Sequence, residues 1–404
     1  MSETVMKIAG HALARCAAGL AIALVMAGMA RPALAGPELV FEIETGRVLH
    51  AEQAHELWSP ASLTKMMTAL VTFRAIEAGE LTLKSPVRVT GNAVSTPPSK
   101  MGYPAGSVMT VDNALKMVVV RSANDIAVAL GEAVAGSETA FVDRMNQEAA
   151  RLGMTNTNFV NPHGLHDEAQ YTTARDMAVL VRALRRDFGQ YAGYFSTEAI
   201  AFGEDQLIPS YNLLLGRFAG ADGMKTGFVC ASGFNLAATA TREGRTLASI
   251  VMGTASQKAR AEESAVLLED GFTKGPATDT APTLDAVPGP ADADGVPADL
   301  RPVVCTEEAR AARWDGRDVD GNIVFDSGLI GTMEREPRAV RVGLGGAEGE
   351  SRTAIVVGDE VFEPFPVPLP RPERPSLASD AEMDEYRLRP GFEAPVPEPR
   401  PESG

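Results

Sequence analysis

The apolar stretch SPASLTKMMTAL, residues 59–70, contains a lysine that a simple core helix would not contain. Ser59 can cap a helix, Pro60 suits its first position, and the apolar residues then recur at helical spacing. Lys65 lies inside this apolar pattern, three residues after Ser62. Because a buried, unpartnered ammonium costs several kcal/mol, the amine must find partners or its pKa must fall until it is neutral.

A neutral lysine beside a serine can serve as a base. Residues three apart lie on one face of a helix, so the amine of Lys65 can accept the proton of the Ser62 hydroxyl and make a nucleophile. The S-x-x-K spacing alone is a weak signal. A lysine that reaches the surface from an amphipathic helix gives the same pattern.

Two further polar motifs adjoin apolar stretches later in the chain. Ser122-Ala123-Asn124 lies at a break between two apolar helices, and Lys225-Thr226-Gly227 comes just before a strand. Each alone has an ordinary explanation, a helix cap or a solvated strand end. Together, S-x-x-K, S-x-N and K-T-G follow the order and rough spacing of active-site serine enzymes that recognise penicillin.

Composition divides the chain into parts. Positive charge, an apolar run at 16–30 and the small residues of Ala33-Leu34-Ala35 predict a signal peptide, with a retained anchor as the alternative. Export then places the protein in the periplasm or cell envelope. The predicted parts are a signal peptide at 1–35, a globular domain at 36–275, a linker and irregular segment at 276–337, a small β-hairpin within 338–362, and a Pro/Glu-rich disordered tail at 363–404.

Periodicity within 36–275 predicts strands at both ends and helices between them. A hairpin is expected at 38–50, paired strands at 234–240 and 247–253, and a closing amphipathic helix at 259–272. This order predicts an α/β fold of the α+β kind, with an antiparallel sheet completed by both ends of the domain and a helical subdomain inserted.

The C-terminal region has a different character. Residues 277–300 are rich in Ala, Asp, Pro and Gly, as linkers are. Residues 340–344 and 353–357 could pair as a hairpin, although two strands are marginal alone. The tail is either a solvated segment or a proline-rich ligand that tethers the protein to a partner or the cell wall.

The charge and the cysteines limit the remaining choices. A formal net charge of −16 argues against nucleic-acid binding. His163 and His166, with Asp167, do not form a zinc signature, so neither a metal nor another cofactor is expected. After export two cysteines remain, Cys230 and Cys305, which an oxidising compartment favours as a disulfide over two free thiols.

The three motifs and their surroundings resemble the low-molecular-weight penicillin-binding proteins that act as serine-type D-Ala-D-Ala carboxypeptidases. The resemblance extends through ETGRVLHAEQAHELWSPASLTKMMTAL, RSANDIAVAL, NFVNPHGLHDEAQYTTARDMA and DGMKTGFVCASGFNLAATAT, and covers about residues 38–272. It implies a β-lactamase/transpeptidase-like fold, a peptidoglycan stem peptide ending in D-Ala-D-Ala as substrate, and β-lactams as acylating inhibitors.

The resemblance also implies a role for each motif residue. Ser62 would attack the carbonyl between the two D-alanines, and Lys65 would be its base. Ser122 would relay a proton to the leaving amine, and Asn124 would bind the substrate amide and help to hold Lys65. Lys225 would bind the terminal carboxylate, and its charge would favour the neutral form of Lys65.

The strand that begins with K-T-G would hold the substrate. Thr226 would bind the carboxylate with the lysine before it, and Gly227 would leave room for the peptide against the strand edge. The backbone N–H groups of Ser62 and Phe228 would form the oxyanion hole.

Several features depart from the family pattern or leave alternatives open. Phe228 replaces a histidine that is common after K-T-G, and the family's C-terminal β-rich domain and membrane-binding tail are not evident, so membrane association stays open. A β-lactamase would need an E-x-x-L-N segment, where this chain has NPHGLHDE. A D,D-endopeptidase would use the same residues as a carboxypeptidase, and a non-catalytic envelope scaffold would use the fold alone.

Deletion of residues 364–404 should leave catalysis intact, because the tail lies outside the stretch that carries the motifs. The release of D-alanine from a pentapeptide by the full and the shortened chains would test this. A large loss of activity would show that the tail belongs to the catalytic fold.

Overall fold

The computed structural model describes residues 36–203, 206–289, 295–313, 317–318 and 321–351, and the backbone of 355–357 and 360–362. The signal peptide predicted at 1–35 and the tail predicted at 363–404 lie outside these residues. Within the described part of the chain, no helix has the length and apolar character needed to cross a bilayer.

The secondary structure follows the predicted order of strands, helices and strands. The strands are β1 (Glu38–Glu42), β2 (Val48–Glu52), β3 (Pro86–Arg88), β4 (Val108–Thr110), β5 (Ala199–Phe202), β6 (Gln206–Pro209), β7 (Ala221–Val229), β8 (Gly233–Arg242), β9 (Arg245–Thr254), β10 (Ala339–Arg341), β11 (Ile355–Val357) and β12 (Glu360–Phe362). The α-helices are α1 (Thr64–Glu77), α2 (Gly91–Ser95), α3 (Val111–Lys116), α4 (Asn124–Ala135), α5 (Glu138–Leu152), α6 (Ala174–Arg186), α7 (Gln257–Thr273), α8 (Arg301–Val304) and α9 (Glu307–Ala312).

The main sheet is antiparallel and has the strand order β2-β1-β9-β8-β7. The N-terminal hairpin therefore pairs with the C-terminal strands, which confirms the predicted α+β sheet. The hairpin turns at Gly46, which has a φ of +70°, a value that favours glycine. Strand β7, which carries K-T-G, lies at the edge of this sheet opposite β2.

The closing helix covers one face of the sheet. Leu236, Ala238 and Ala240 alternate along β8, so that they lie on the same side of it. They pack with Ala265 and Leu268 of α7 in one buried cluster. This packing fixes β8, and through it the edge strand β7, against a rigid support.

The helical subdomain is inserted between β2 and β7. A single π-helical turn at Met117–Arg121 follows α3, and the chain then breaks at Ser122, which has φ 61° and ψ 33°. Helix α4 restarts at Asn124. The predicted break at the S-x-N motif is therefore present.

The predicted cap at Ser59 is wrong. Residues 61–63 form a short 3₁₀ turn, and α1 begins only at Thr64, without a side-chain cap. Ala61 has a φ of +46°, which is incompatible with continuous helix back to Ser59. The Ser59 hydroxyl is buried and has no hydrogen-bond partner in the described part of the chain.

The segment predicted as a linker packs on the domain. Leu284 is buried and its N–H donates to the Gly46 carbonyl, while the Arg47 side chain donates to the carbonyls of Asp279 and Ala281. Linker composition failed as a guide because a few separated apolar residues are enough to hold the segment on the surface of a larger core.

The predicted pairing of 340–344 with 353–357 is also wrong. Strand β10 instead pairs in parallel with β5, in a small sheet of order β10-β5-β6. Strand β11 pairs with β12 in a separate hairpin. Short segments of this kind carry too little pattern to choose their partners locally.

Asp222 at the start of β7 shows how the edge strand is held. Its carboxylate accepts hydrogen bonds from Arg185 Nη2 at 2.9 Å and from the hydroxyls of Thr239 and Thr241, both at 2.6 Å. One charged acceptor thus joins α6, β7 and β8.

The Asp222→Ala change should lower the free energy of unfolding by about 2 kcal/mol, because three donors lose a shared charged acceptor. Chemical denaturation would measure the loss. The control is Asp270→Ala, which removes only an exposed ion pair with Lys274 and should cost at most about 0.5 kcal/mol. Equal effects of the two changes would contradict this account of Asp222.

Candidate active site

Backbone from two distant segments packs directly on the turn that carries Ser62. A Cβ atom on Gly164 would lie 1.9 Å from the Ala61 carbonyl oxygen, and one on Gly227 would lie 3.0 Å from the Ser62 nitrogen. Only glycine permits so close an approach at Gly164, which also has a φ of +90°. The positive φ of Ala61 directly before the serine is a strained conformation of the kind that concentrates at functional sites.

Lys65 is fully buried and is held by three oxygen atoms. Its Nζ lies 3.0 Å from Ser62 Oγ, 2.7 Å from Asn124 Oδ1 and 2.5 Å from the His163 carbonyl oxygen. Burial lowers the pKa of Lys65 well below its usual value, and the charge of Lys225 lowers it further. The role of Lys225 in keeping this amine neutral stays a prediction, and its effect on the pKa of Lys65 has the direction that the prediction requires.

When this amine is neutral, the geometry offers its lone pair the hydroxyl of Ser62 as a partner. A neutral lysine has two N–H donors, and the oxygens of Asn124 and His163 accept both of them. The lone pair is then free to accept the O–H of Ser62. This arrangement is that of a nucleophile beside its base.

The second lysine meets the S-x-N motif. Lys225 is 2% exposed, and its Nζ donates to Ser122 Oγ and to the Thr226 carbonyl, both at 3.0 Å. Burial, followed by the charge of Arg260, lowers the pKa of Lys225 to about 7. A group with such a pKa is poised to gain a proton when an anion binds beside it.

Arg260 is a site residue that sequence reasoning missed. It is 1% exposed, lies on α7, and donates from Nη1 to the carbonyls of Gly227 and Asn235 at 3.1 and 3.3 Å. Its Nη2 donates to the Tyr211 carbonyl at 3.3 Å. The only signal in the sequence was an arginine among the small residues of the buried face of the closing helix.

Asp125 was also missed, although it follows the S-x-N motif directly. Its carboxylate is buried and accepts hydrogen bonds from the backbone N–H groups of Met101, Gly102 and Ile126. Burial raises the pKa of Asp125 despite these bonds. The residue holds the loop that faces the start of α4, and its negative charge acts on Lys65 in the direction opposite to that of Lys225.

The two histidines of the 161–170 loop face different partners. Burial lowers the pKa of His163 to about 3, so the ring is neutral and its Nδ1 accepts the N–H of Leu165. His166 Nε2 instead lies 2.8 Å from Arg301 Nη2. Among the described residues, a group that could hold a metal ion is Glu38, His50 and Glu52, on the β1–β2 hairpin at the opposite end of the sheet from β7.

The structure therefore brings most of the predicted site residues together. Direct contacts link Ser62, Lys65 and Asn124 on one side, and Ser122 and Lys225 on the other. Thr226, Gly227 and Phe228 follow on β7. Cys230 lies just beyond this strand and forms a disulfide with Cys305. A polar cluster of this composition is suited to acyl transfer through a serine ester.

A family model and the curated proteins that match this chain have the same description, D-alanyl-D-alanine carboxypeptidase. A family model described as D-alanyl-D-alanine carboxypeptidase matches residues 27–256, more than half of the chain. The chain is 36% identical over 240 residues to D-alanyl-D-alanine carboxypeptidase DacC of Escherichia coli K12, a match that covers 58% of this chain and 60% of that protein. For DacF of Bacillus subtilis 168 the identity is 32% over 242 residues, covering 58% and 61%. The match thus spans about 60% of these curated relatives' length.

Solved structures of penicillin-binding proteins are also similar to this chain. Penicillin-binding protein 5 of Haemophilus influenzae superposes with a TM-score of 0.57 at 34% identity, over 60% of this chain and 71% of that chain. Penicillin-Binding Protein D2 of Listeria monocytogenes, in an ampicillin-bound form, gives a TM-score of 0.52 at 27% identity, over 59% of this chain and 98% of that one.

The Lys225→Met change should raise the pKa of Lys65, because it removes a positive charge that now disfavours protonation of the buried amine. NMR titration of the Lys65 side-chain nitrogen would measure the shift. The exposed Lys274→Met change is the matched control and should leave that pKa in place. A fall in the pKa of Lys65 in the Lys225 variant would overturn this account of the charge coupling.

Proposed function

The chain belongs to the D-alanyl-D-alanine carboxypeptidase family, and we propose that it removes the terminal D-alanine from peptidoglycan stem peptides through an acyl-enzyme on Ser62. One observation carries the proposal: the buried Nζ of Lys65 lies 3.0 Å from Ser62 Oγ and also contacts Asn124 Oδ1 and the His163 carbonyl oxygen. Burial favours its neutral form, which can donate to the last two atoms and accept the Ser62 proton.

In the first step, Ser62 Oγ attacks the carbonyl carbon between the two D-alanines. A C–O bond forms while the hydroxyl proton passes to Lys65 Nζ, and the carbonyl π electrons move to its oxygen. Because the folded protein has already removed water from Lys65, the base needs no desolvation at the moment of reaction. The amine is neutral beforehand and gains its proton only as the bond forms.

The oxyanion would be stabilised by the backbone N–H groups of Ser62 and Phe228. The close approach of Gly227 to the Ser62 nitrogen supports this assignment, since it brings β7 beside the serine turn. The Phe228 ring lies against Phe234, with the ring centroids 4.2 Å apart, which helps to fix the backbone there. In other hydrolases one such donor contributes about 3–4 kcal/mol to transition-state stabilisation.

Collapse of this intermediate breaks the C–N bond. The proton on Lys65 reaches the departing amine through the Ser122 hydroxyl, and D-alanine leaves. The hydrogen bond from Lys225 to Ser122 Oγ supports this role, because it fixes the orientation of the hydroxyl. Water then attacks the ester carbonyl while Lys65 Nζ takes a proton from it. The C–O bond to Ser62 Oγ breaks, Oγ takes this proton back from Lys65, and the shortened peptide leaves with a new carboxyl group.

Recognition of the terminal carboxylate falls to Lys225 and Thr226. A carboxylate beside Lys225 would raise its pKa from about 7, so that the bound substrate faces a charged ammonium. In the free site, the lowered pKa values of Lys65 and Lys225 limit the cost of burying two ammonium groups together. The carboxylate of the bound substrate then compensates the charge of Lys225.

The cellular setting follows from the substrate. Peptidoglycan lies outside the cytoplasmic membrane, so we place the mature protein in the periplasm or cell envelope, after removal of residues 1–35. The disulfide between Cys230 and Cys305 suits such an oxidising compartment. β-Lactams would acylate the same serine, as the ampicillin-bound relative suggests.

The Ser62→Ala change should reduce D-alanine release from a pentapeptide by about 10⁴-fold or more, because no other group forms the acyl-enzyme. Covalent labelling by a fluorescent penicillin should disappear with it. The matched control is Ser95→Ala, at an exposed serine whose hydroxyl bonds only to the Asn92 carbonyl. Labelling that persists without Ser62 would identify a different nucleophile, and a wild-type protein that releases no D-alanine would favour a non-catalytic scaffold.

A further inference from the structure

A segment beyond the family match is fastened next to the active site. Residues 295–313 follow the matched region of 27–256. Cys305 is bonded to Cys230, and the Leu300 N–H donates to the Ala231 carbonyl at 3.0 Å. Both partners lie in the β7–β8 turn, a few residues after Phe228. The segment is therefore tied to the end of the strand that holds the substrate.

The same segment reaches the loop on the other side of the serine. Arg301 Nη2 lies 2.8 Å from His166 Nε2, in the loop whose His163 carbonyl holds Lys65. The Nε of Arg301 donates to Asp299 Oδ1 at 3.1 Å, which fixes the guanidinium. Residues 299–305 thus bridge the β7–β8 turn and the 161–170 loop. The bridge lies at the C-terminal end of β7, just after Phe228.

A third contact links this segment to the reactive region. The Arg313 guanidinium lies 5.4 Å from the centroid of the Phe234 ring, and this ring packs on Phe228. Arg313 also donates from Nη1 to the Val304 carbonyl at 2.6 Å. The position of the segment is therefore fixed relative to the proposed oxyanion hole, through packed rings as well as through the disulfide.

The direction of the substrate follows from the proposed function, on which this inference rests. The terminal carboxylate lies at Lys225 and Thr226, and the reacting carbonyl lies at Phe228. A peptide added to the edge of β7 in this way runs antiparallel to it. Its residues ahead of D-Ala-D-Ala then extend past Phe228 toward Cys230, where the bridging segment lies.

We propose that residues 299–305 form a subsite for the part of the peptide that precedes D-Ala-D-Ala, and that Arg301 binds a carboxylate there. The guanidinium is half exposed, and its planar N–H groups match a carboxylate. Asp299 is an acidic group in contact with the Arg301 guanidinium. Asp299 is engaged by Arg301, so the guanidinium is oriented while one of its edges remains available to a ligand.

The test compares peptides that end in D-Ala-D-Ala and differ only in the preceding residue, which is Glu, Gln or Lys. The wild-type kcat/KM for D-alanine release should be about two- to fivefold higher for the Glu peptide than for the Gln peptide, the range of an exposed ion pair. Arg301→Gln should bring this ratio close to one, and Arg301→Lys should retain part of it. Arg310→Gln, at an exposed arginine of the same segment, should keep the full ratio.

Removal of the disulfide between Cys230 and Cys305 provides a second test of the subsite. The double change Cys230→Ser and Cys305→Ser should lower the Glu-to-Gln ratio, because Arg301 is then no longer held beside the cleft. Thermal unfolding of each variant would separate a lost subsite from a lost fold. A double variant that stays folded and keeps the full ratio would show that the disulfide does not position the subsite.

Different results would contradict the carboxylate subsite and the proposed carboxypeptidase activity. An unchanged ratio in Arg301→Gln, equal wild-type rates on the Glu and Gln peptides, or a preference for the Lys peptide would each overturn the carboxylate subsite. Absence of D-alanine release from all three peptides would instead overturn the carboxypeptidase assignment. In that case calorimetric binding of the peptides to the Ser62→Ala protein would still test whether Arg301 favours the acidic one.

Discussion

The burial of Lys65 is the constraint on which the rest of the site depends. An amine in the core needs either compensating groups or a lowered pKa, and here it has both. The Asn124 side chain and the His163 carbonyl satisfy its N–H groups, so the neutral amine has no unmet donors. The remaining lone pair faces Ser62. The same solvation penalty that would otherwise destabilise the fold therefore favours the neutral amine that the proposed mechanism uses as its base.

The sheet supplies the second half of the site through close backbone contact. Gly227 brings β7 against the serine turn, and the Lys225 side chain reaches Ser122, 103 residues away in sequence. Arg260 lies behind this strand and binds the Gly227 carbonyl. Its buried charge helps to lower the pKa of Lys225. Lys65, Lys225 and Arg260 therefore share one cleft without all three carrying a full positive charge.

The C-terminal segment shows how a family domain can be extended beside its own cleft. The disulfide joins residues 75 apart in sequence and fastens residues 295–313 beside the end of β7. Leu300 and Val304 add a small buried contact. The family fold and the added segment meet at the end of β7, the point at which a bound peptide would leave the catalytic residues.

The sequence by itself determined the elements and the motifs, because both depend on spacing along the chain. Apolar periodicity placed the closing helix and the paired strands, and S-x-x-K put Ser62 and Lys65 on one turn. Only the tertiary structure decided what lies beside them. The left-handed Ala61 replaced the expected Ser59 cap, Arg260 came to lie behind β7, and the supposed linker packed on the domain. These outcomes depend on contacts between segments far apart in sequence, and local patterns carry no information about such contacts.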